Sequence, residues 1–384
     1  MNLKEVNITI GIDATNIGGG GGITHLKELL NSDVLSFQKI FVVLIGSTET
    51  LEAIEDQPYL KKISHKNLNR GLINRIFFQT FTLTNLLKKN CHILFSVTGD
   101  YTGKFKPVIG MSRNMLLYER DIWREIKQPK EILRFWLNYK KQKRCFKNSS
   151  GIIFISNYAK EVISKKINLS NKKTAVIHHG VSSRFNGVAK DQKNISNYTL
   201  ENPFKFLYVS TVHVYKHQWN VVEAISNLRK LGYPVTLDLV GGSIFNPAMK
   251  KLNETIKKVD PNSVFIKNNG HISYETINKF YSKTDGIVYA STCENMPNIL
   301  MESMASGIPI ACSNKQPMPE FLKDNGFYFN ATDITSIEAA LIDFLENPDQ
   351  RKINSENALN EVKKYSWYKT AKETIDFVTK ININ

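Results

Sequence analysis

Hydrophobic and polar positions alternate along this chain in two similar series. In each series, short runs of β-branched and other apolar residues are separated by longer stretches whose apolar positions recur every three or four residues. This alternation is typical of βαβ units that build parallel sheets. The first series covers residues 1–182 and the second covers residues 204–364, while the polar segment 183–203 between them predicts a linker.

Each series predicts its own set of elements. The strands predicted in the first are Val6–Ile12, Ile40–Ile45, Ile93–Ser96, Pro107–Met111, Gly151–Ile155 and Ala175–Ile177, with helices at Ile23–Leu30, Arg70–Lys89, Leu117–Lys147 and Asn157–Lys165. The strands predicted in the second are Phe204–Val209, Val235–Val240, Val264–Lys267, Gly286–Tyr289 and Ile308–Cys312, with helices at His217–Arg229, Pro247–Val259, Tyr274–Tyr281 and Pro297–Ala305. We therefore predict an α/β fold of two doubly wound Rossmann-like domains, with ligands at the carboxyl ends of the strands and in an interdomain cleft.

The charge of the chain is concentrated in the first series. The 384 residues include 51 Lys+Arg and 35 Asp+Glu, a formal net charge of +16. Residues 1–200 hold 31 of these bases and 15 of these acids, so the rest of the chain is formally neutral. A positive field favours nucleic acid, an anionic membrane or a phosphorylated small molecule as partner. The 42% hydrophobic content excludes a disordered chain.

Candidate chemistry is concentrated in the segment CENMPNILMESMASGIPIAC, residues 293–312. It reads as a loop, a helix that opens near Pro297, and a strand. The first backbone amides of that helix, from Asn298 through Ile299 to Leu300, suit an anion. Glu294 precedes the helix and Glu302 lies inside it, and a carboxylate accepts hydrogen bonds from two hydroxyls at once.

This order of residues resembles the sugar-nucleotide site of retaining GT-B glycosyltransferases of family four, the glycosyl transferases group 1. The resemblance implies that Glu294 binds hydroxyls of the donor sugar and that Glu302 binds the ribose hydroxyls of the nucleotide. It also implies that the diphosphate lies on the amides of residues 298–300, beside Met296 and Pro297.

A second match is the segment YVSTVHVYKHQWNVVEAI, residues 208–225. Lys216 stands before a helix, as does the family lysine that pairs with the donor diphosphate, so the resemblance makes Lys216 and Glu294 the catalytic candidates. Ser210 and Thr211 follow the strand. Relatives often carry an arginine where this chain has Thr211. Either the diphosphate is less fully neutralised here, or another base, such as Lys205 or a residue of the first domain, supplies the charge.

Weaker matches complete the expected donor site. Gly18–Gly22 resembles the family's glycine loop, which places Gly21 and Gly22 at the donor, although a merely flexible loop is the alternative and the spacing does not fit the dinucleotide fingerprint. Three further donor candidates come from segments that resemble the family near the nucleotide, namely Gly242, His271 and Ile272. The resemblance also implies that a terminal helix, residues 365–382, packs back on the first domain.

Two expected features are absent from the sequence. Many relatives carry a histidine near the reacting carbon, but the corresponding stretch here, residues 110–114, has none, so no catalytic base is named. No Asp-x-Asp occurs, and the four cysteines are scattered. We therefore expect a metal-independent enzyme without a cofactor.

The basic segment 117–147 mixes Lys and Arg with aromatic residues. This mixture suits peripheral contact with anionic lipid, and a core-facing helix with a solvated outer face is the alternative. Nucleic acid is the weaker candidate because no nucleic-acid-binding motif is evident.

Residues 1–7 lack the pattern of a secretory signal and no apolar run reaches about 18 residues. We expect a cytoplasmic location, either free in the cytoplasm or at the inner face of the membrane.

Three functions remain open at this point. The first is transfer of a hexose, such as mannose, glucose or N-acetylhexosamine, from a GDP- or UDP-linked donor to a glycan or lipid-linked acceptor in surface polysaccharide or glycoconjugate synthesis. The second is a catalytically silent sugar-nucleotide-binding protein. The third is a sugar-nucleotide epimerase of the same fold.

Overall fold

The computed structural model describes residues 8–381, except for the side chains of residues 72 and 73. Residues 1–7, with the start of the first predicted strand, and residues 382–384, with the end of the predicted terminal helix, lie outside this range. The chain divides into two compact units. Unit 1 comprises the described residues of Met1–Arg120, Lys127–Gly180 and Tyr365–Asn384, and unit 2 comprises Asp121–Ile126 and Val181–Lys364.

Unit 1 is built around a seven-stranded parallel sheet in the order β3-β2-β1-β4-β5-β6-β7. Its strands are β1 (Ile8–Asp13), β2 (Ile40–Ile45), β3 (Leu60–Ile63), β4 (Ile93–Ser96), β5 (Val108–Ser112), β6 (Gly151–Phe154) and β7 (Lys173–Val176). Near the middle of the sheet, Ile10 of β1 pairs with Val42 of β2 on one side and with Ile93 of β4 on the other. The central strands β4, β5 and β6 are buried along their whole length because helices cover both sides of a parallel sheet.

The helices in the first half of the chain connect these strands. They are α1 (Gly21–Leu30), α2 (Val34–Phe37), α3 (Thr48–Glu52), α4 (Leu72–Phe77), α5 (Leu83–Asn90), α6 (Arg120–Ile126), α7 (Pro129–Asn148) and α8 (Asn157–Lys166). Of these, α6 belongs almost entirely to unit 2.

Unit 2 repeats the architecture with a six-stranded parallel sheet in the order β10-β9-β8-β11-β12-β13. Its strands are β8 (Phe204–Val209), β9 (Val235–Val240), β10 (Ile266–Asn268), β11 (Gly286–Tyr289), β12 (Ile310–Ser313) and β13 (Phe327–Phe329). Its helices are α9 (Gln218–Lys230), α10 (Asn246–Val259), α11 (Asn278–Ser282), α12 (Asn298–Ala305), α13 (Met318–Leu322), α14 (Ile334–Glu346) and α15 (Pro348–Val362). The prediction of two doubly wound α/β units is confirmed.

The last helix, α16 (Trp367–Thr379), returns to unit 1 and packs against α1 and α2. A Cβ atom on Gly180 would lie 2.1 Å from the backbone nitrogen of Trp367. Thr370 also donates a hydrogen bond from its Oγ1 to the carbonyl of His178, at 2.7 Å. The close approach of the backbones therefore requires glycine at position 180.

The segment 183–203 is fixed to the body of unit 2. The amide of Gly187 donates to the carbonyl of Ala305 at 2.8 Å. Arg351, which is fully buried, donates to the Gln192 side chain at 3.0 Å and to the Lys193 carbonyl at 2.6 Å. The polar segment that was predicted as a linker is thus held in place by backbone and guanidinium hydrogen bonds.

Three predicted helices differ from the structure. The continuous helix Leu117–Lys147 is wrong: Lys127 has a φ of +53° and Pro129 starts a new helix, so α6 and α7 are separate. The helix Arg70–Lys89 is interrupted by a π-helical turn, Phe78–Thr82. In place of the predicted helix Tyr274–Tyr281, the structure has the shorter helix Asn278–Ser282. The other predicted elements are present, with described ends shifted by at most two residues.

Candidate active site

Three loops at the carboxyl edge of the unit 2 sheet are bound together through their backbones. Val212 donates to the carbonyl of Gly242 at 2.9 Å, and Gly241 donates to the carbonyl of Gly270 at 2.7 Å. Gly241 has a φ of +143°, and a Cβ atom there would lie 2.0 Å from the carbonyl oxygen of Ser210. Because only glycine fits this position, the loops after β8, β9 and β10 form one ledge of closely packed backbone.

Lys216 and Glu294, the two catalytic candidates, contact each other at this edge. Lys216 ends the short 3₁₀ turn before α9, and its Nζ bonds to Glu294 Oε1. The two side chains are only 7% and 16% exposed. The same carboxylate oxygen accepts hydrogen bonds from Tyr289 and Ser291, each at 2.7 Å. A lysine 78 positions away in sequence is therefore held in a defined place by a neutralising carboxylate.

Aromatic residues surround this ion pair. The rings of Tyr215 and Tyr289 each lie 5.3 Å from the ammonium nitrogen of Lys216. Burial, and secondarily the charge of Glu294, raises the pKa of Tyr289 well above its usual range, so the phenol stays protonated and donates. Burial lowers the pKa of His217 to about 4, so its neutral ring shares a 2.9 Å hydrogen bond with Thr292.

The start of α12 presents backbone amides without a side-chain cap. Pro297 occupies the N-cap and makes no side-chain capping bond, so the helix begins at Asn298, one residue after the predicted start. The first intrahelical bond runs from Met301 to the carbonyl of Pro297, at 3.0 Å. The amides of Asn298, Ile299 and Leu300 therefore have no partner within the helix, and they carry the positive end of its dipole. Met296 and Pro297 are buried beside them.

Glu302 forms a second polar group, one turn further along α12. Its carboxylate is 9% exposed and accepts a hydrogen bond from Tyr274 at 2.9 Å. Burial raises the pKa of Glu302 to about 7, while the bond from Tyr274 opposes that rise. Tyr274 in turn lies under the guanidinium of Arg184, 5.6 Å from its ring centroid. An exposed ring with an adjacent cation beside a carboxylate suits a nucleoside.

The other residues that the sequence predicted near the donor in unit 2 differ in their exposure and in their position on the sheet. The exposed His271 side chain lies over Gly242, where a Cβ atom would be 3.4 Å from that of His271. Ile272 is half-buried, and Thr211 is exposed and supplies no charge. Lys205 lies at the start of β8, at the amino end of the strand, so the suggestion that it replaces the missing arginine is wrong.

Gly21 and Gly22 belong to the glycine loop of unit 1. Gly20 has a φ of +56°, and α1 begins at Gly21, two residues before the predicted start. Arg113 donates from its Nη2 to the carbonyl of Gly21 at 2.7 Å. Burial lowers the pKa of Arg113 to about 10, and this cation stands in the stretch where relatives carry a histidine.

Sequence reasoning missed Tyr289, Ser291, Tyr274 and Arg184. The first two follow from their position, because Tyr289 ends β11 and Ser291 lies in the short loop between that strand and Glu294. The other two carried no such signal, since they lie far from Glu302 in the chain. Within residues 8–381, no group of three or more His, Cys, Asp or Glu side chains is placed to hold a metal ion.

Part of the chain is similar to known proteins. Residues 190–361, which include Lys216, Glu294 and Glu302, match the family model described as Glycosyl transferases group 1. The O-antigen chain mannosyltransferase B of Escherichia coli is 28% identical over 107 residues, which are 28% of this chain and 28% of that protein. A glycosyltransferase of Methanocaldococcus jannaschii is 23% identical over 237 residues, which are 60% of this chain and 58% of that protein. The chain thus spans less than two thirds of either relative.

A solved structure extends the similarity to both units. HepE of Anabaena, in complex with UDP and glucose, has a TM-score of 0.72 and 14% identity to this chain. The similarity covers 97% of this chain and 99% of that one, so the fold is GT-B. Residues 190–361, which are less than half of the chain, are thus similar to the glycosyl transferases group 1 family, and the described units have the GT-B fold.

Proposed function

We propose that this protein transfers a hexose from a nucleotide diphosphate sugar to a glycan or lipid-linked acceptor, with retention of configuration. The observation that carries the proposal is the buried contact between Lys216 and Glu294, positioned by Tyr289 and Ser291. The uncapped start of α12 follows Glu294 directly in the chain. A cation, a hydroxyl acceptor and free amides suit a sugar diphosphate.

Each group has one role in the proposed donor complex. Glu294 accepts hydrogen bonds from the sugar hydroxyls, and Glu302 accepts them from the ribose hydroxyls. The amides of residues 298–300 hold the diphosphate. Lys216 stabilises the negative charge that develops on the leaving diphosphate, which is the step at which an electrostatic contact accelerates the reaction.

The proposed chemistry needs no protein base. The bond between the anomeric carbon and the diphosphate oxygen breaks while a bond from that carbon to the acceptor oxygen forms on the same face. The acceptor proton passes to the departing phosphate oxygen. We propose that no metal takes part, so chelation with EDTA leaves the rate unchanged, and a rate restored only by added Mg²⁺ or Mn²⁺ contradicts this.

The relatives support particular donors and a product class. The HepE complex with UDP and glucose favours a UDP-linked hexose, whereas the mannosyl transfer of the Escherichia coli relative favours mannose, for which GDP is the other candidate carrier. That relative's O-antigen chain supports a role in surface polysaccharide synthesis. Thermal shifts with UDP and GDP separate the two bases because a ligand stabilises the folded state according to its affinity.

The decisive experiment compares donor turnover in Lys216→Ala and Glu294→Ala with turnover in the wild type. Lys205→Ala is the matched control, because it removes a lysine at the amino end of the same sheet. Loss of turnover in the first two variants alone supports the assignment. Nucleotide binding without turnover across donors and acceptors favours the silent binding protein, and product formed without acceptor favours the epimerase.

We also propose peripheral membrane contact through α7. Among the described helices, none has the length and apolarity to cross a bilayer. On α7, however, Leu133, Trp136 and Leu137 are 56%, 44% and 48% exposed. Exposed bases flank them, namely Arg134, Lys140, Arg144 and Lys147. Apolar side chains beside bases suit an anionic headgroup region.

Vesicle flotation tests this contact. Wild type should bind phosphatidylcholine vesicles only when they contain phosphatidylglycerol, and Trp136→Ser with Leu137→Ser should abolish binding. Phe37→Ser, which removes another exposed aromatic side chain of unit 1, is the control. Equal binding to neutral vesicles, or no effect of the double change, contradicts the contact.

A further inference from the structure

A cavity in unit 1 lies at the carboxyl ends of its first three strands. Its volume is about 460 Å³, within the range of small-molecule sites. Gly18 reaches it from the loop after β1, Ser47 and Glu49 from the loop after β2, and Asn69 from the turn after β3. This edge is where doubly wound sheets bind ligands, and no role has been assigned to the cavity above.

Arg75 supplies the cationic side of the cavity. It lies on α4, lines the space and is half-buried. Its Nε–H group is buried and has no hydrogen-bond acceptor. Within the described part of the chain, its guanidinium forms no ion pair. A guanidinium in this state is matched by a carboxylate or phosphate, which accepts two parallel hydrogen bonds from it.

Other lining residues of the cavity are polar and held in place. Thr48 donates its backbone amide to Asn69 Oδ1 at 3.0 Å, and Asn69 returns a bond to Thr48 Oγ1 at 2.8 Å. Ser47 caps the start of α3. Glu49 follows with an exposed side chain, which leaves a carboxylate as an acceptor for ligand hydroxyls.

The cavity also has a small apolar part. Ile17 and Leu68 line it and are 5% and 1% exposed. Two aliphatic side chains suit the CH face of a pyranose ring better than a lipid tail, which would need a larger apolar surface. The ring's hydroxyls would meet Glu49 and its acidic group would meet Arg75.

We propose that this cavity binds an anionic saccharide, as part of the acceptor. The shared chemistry is a pyranose that carries one carboxylate or phosphate. The role of this saccharide as an acceptor rests on the proposed transfer function, whereas its binding to the cavity does not. The excess of bases in residues 1–200 favours the same ligand charge.

Saturation-transfer NMR with three probes tests the binding. The probes are D-glucuronate, D-glucose 6-phosphate and D-glucose, each added to the full-length protein. We expect at least one anionic probe to bind about tenfold or more tightly than glucose, because a charged hydrogen-bonded pair has that effect. The preferred anion identifies carboxylate or phosphate as the acidic group. Equal binding of all three probes, or of none, overturns the proposal.

Variants locate the effect in the cavity. Arg75→Gln should weaken the preferred anion about tenfold or more, and Arg75→Lys should keep part of the preference. Arg70→Gln is the matched control, because Arg70 is exposed and does not line the cavity. An unchanged affinity in Arg75→Gln, or an equal loss in Arg70→Gln, overturns the assignment. If Arg75→Gln does not fold, unchanged affinity in Arg75→Lys overturns the requirement for a guanidinium.

A second readout separates this proposal from the donor site. The thermal shift with UDP and GDP should be the same in Arg75→Gln and wild type, since Arg75 has no part in the donor site of unit 2. Loss of anionic-saccharide binding with an intact nucleotide shift supports the cavity assignment. Absence of a nucleotide shift in wild type contradicts the proposed function, whatever the saccharide result.

Discussion

The two units have the same doubly wound architecture, yet the carboxyl edges of their sheets differ. At the unit 2 edge, Lys216 is paired with Glu294, and Glu302 accepts from Tyr274. At the unit 1 edge, Arg75 and Arg113 each have a buried Nε–H group with no acceptor among the described residues. The positive charge of the chain lies in residues 1–200, whereas residues 201–384 are formally neutral.

The difference teaches how each edge is prepared for its ligand. The unit 2 edge is organised before any ligand arrives, since Lys216 and Glu294 already neutralise each other and the loops share backbone bonds. The unit 1 edge keeps cations that a ligand would neutralise. The unit 2 edge therefore suits the proposed nucleotide-sugar donor, and the unit 1 edge suits an anionic partner.

The largest expected effect comes from removing one member of the ion pair. Glu294→Ala leaves the buried ammonium of Lys216 without its counter-charge, so turnover should fall by about 10² to 10³. The free energy of unfolding should fall by about 3 kcal/mol. Enzyme assay and urea denaturation measure the two.

A double change sharpens this prediction. Lys216→Met with Glu294→Leu removes both charges, so its cost in stability should be less than the sum of the single changes. Additive costs in the double-mutant cycle would show that the two residues do not interact. Lys205→Ala should leave both turnover and stability unchanged.

The next prediction compares a glycine in the ledge of unit 2 with a glycine in the glycine loop of unit 1. Gly241→Ala places a Cβ atom 2.0 Å from the Ser210 carbonyl oxygen at a φ of +143°, so it should lower the free energy of unfolding by about 3 kcal/mol. Gly18→Ala in unit 1 meets no atom within 4 Å and should change it by less than about 0.5 kcal/mol. Equal losses in denaturant unfolding would remove the contrast between the edges.

The third prediction concerns pH and Glu302. Its pKa is raised from 4.5 to about 7, so the folded state holds this proton more tightly than the unfolded state. Its contribution to stability is therefore largest below pH 4.5 and declines as pH rises to about 7, by on the order of 3 kcal/mol. Glu302→Gln should lack this decline in denaturant unfolding between pH 5 and pH 8.

The same proton affects the nucleotide. The ionised carboxylate accepts two ribose hydroxyls, so wild-type affinity for the preferred nucleoside diphosphate should rise about tenfold from pH 6 to above pH 7. Glu302→Gln should show a flat profile in calorimetry. A pH dependence shared by both proteins would assign it to another group.

The smallest effect restores the base that relatives carry. Thr211 is exposed on the ledge of unit 2, so Thr211→Arg adds a solvated cation near the expected diphosphate. Affinity for the nucleoside diphosphate should rise by about two- to fivefold at low salt and less at high salt. An unchanged affinity at low salt would mean that position 211 does not face the diphosphate.

The sequence could predict those parts of the fold that local pattern determines. Buried central strands such as Phe204–Val209 and Gly286–Tyr289 agree with the structure because continuous apolar runs mark them. The edge strand β3 was missed, since LKKI is too polar for that signal. The break between α6 and α7 depends on the left-handed backbone of Lys127, which no periodicity indicates.

The same limit applies to the site. The motif around Pro297 could name Glu294, the amides of α12 and Glu302 as donor-site candidates, because they are close in sequence. The contact between Lys216 and Glu294 depends on bringing β8 beside β11 in the sheet. The burial of the Arg75 Nε–H group and its missing acceptor depend on packing within unit 1, which only the folded chain defines.

The most direct test of the central claim is calorimetric titration of UDP and GDP into wild type, Lys216→Ala and Lys205→Ala. We predict that one nucleoside diphosphate binds wild type and Lys205→Ala equally well and binds Lys216→Ala about tenfold or more weakly. Binding of neither nucleotide to wild type, or equal binding to all three proteins, would contradict a sugar-nucleotide site at the carboxyl edge of unit 2.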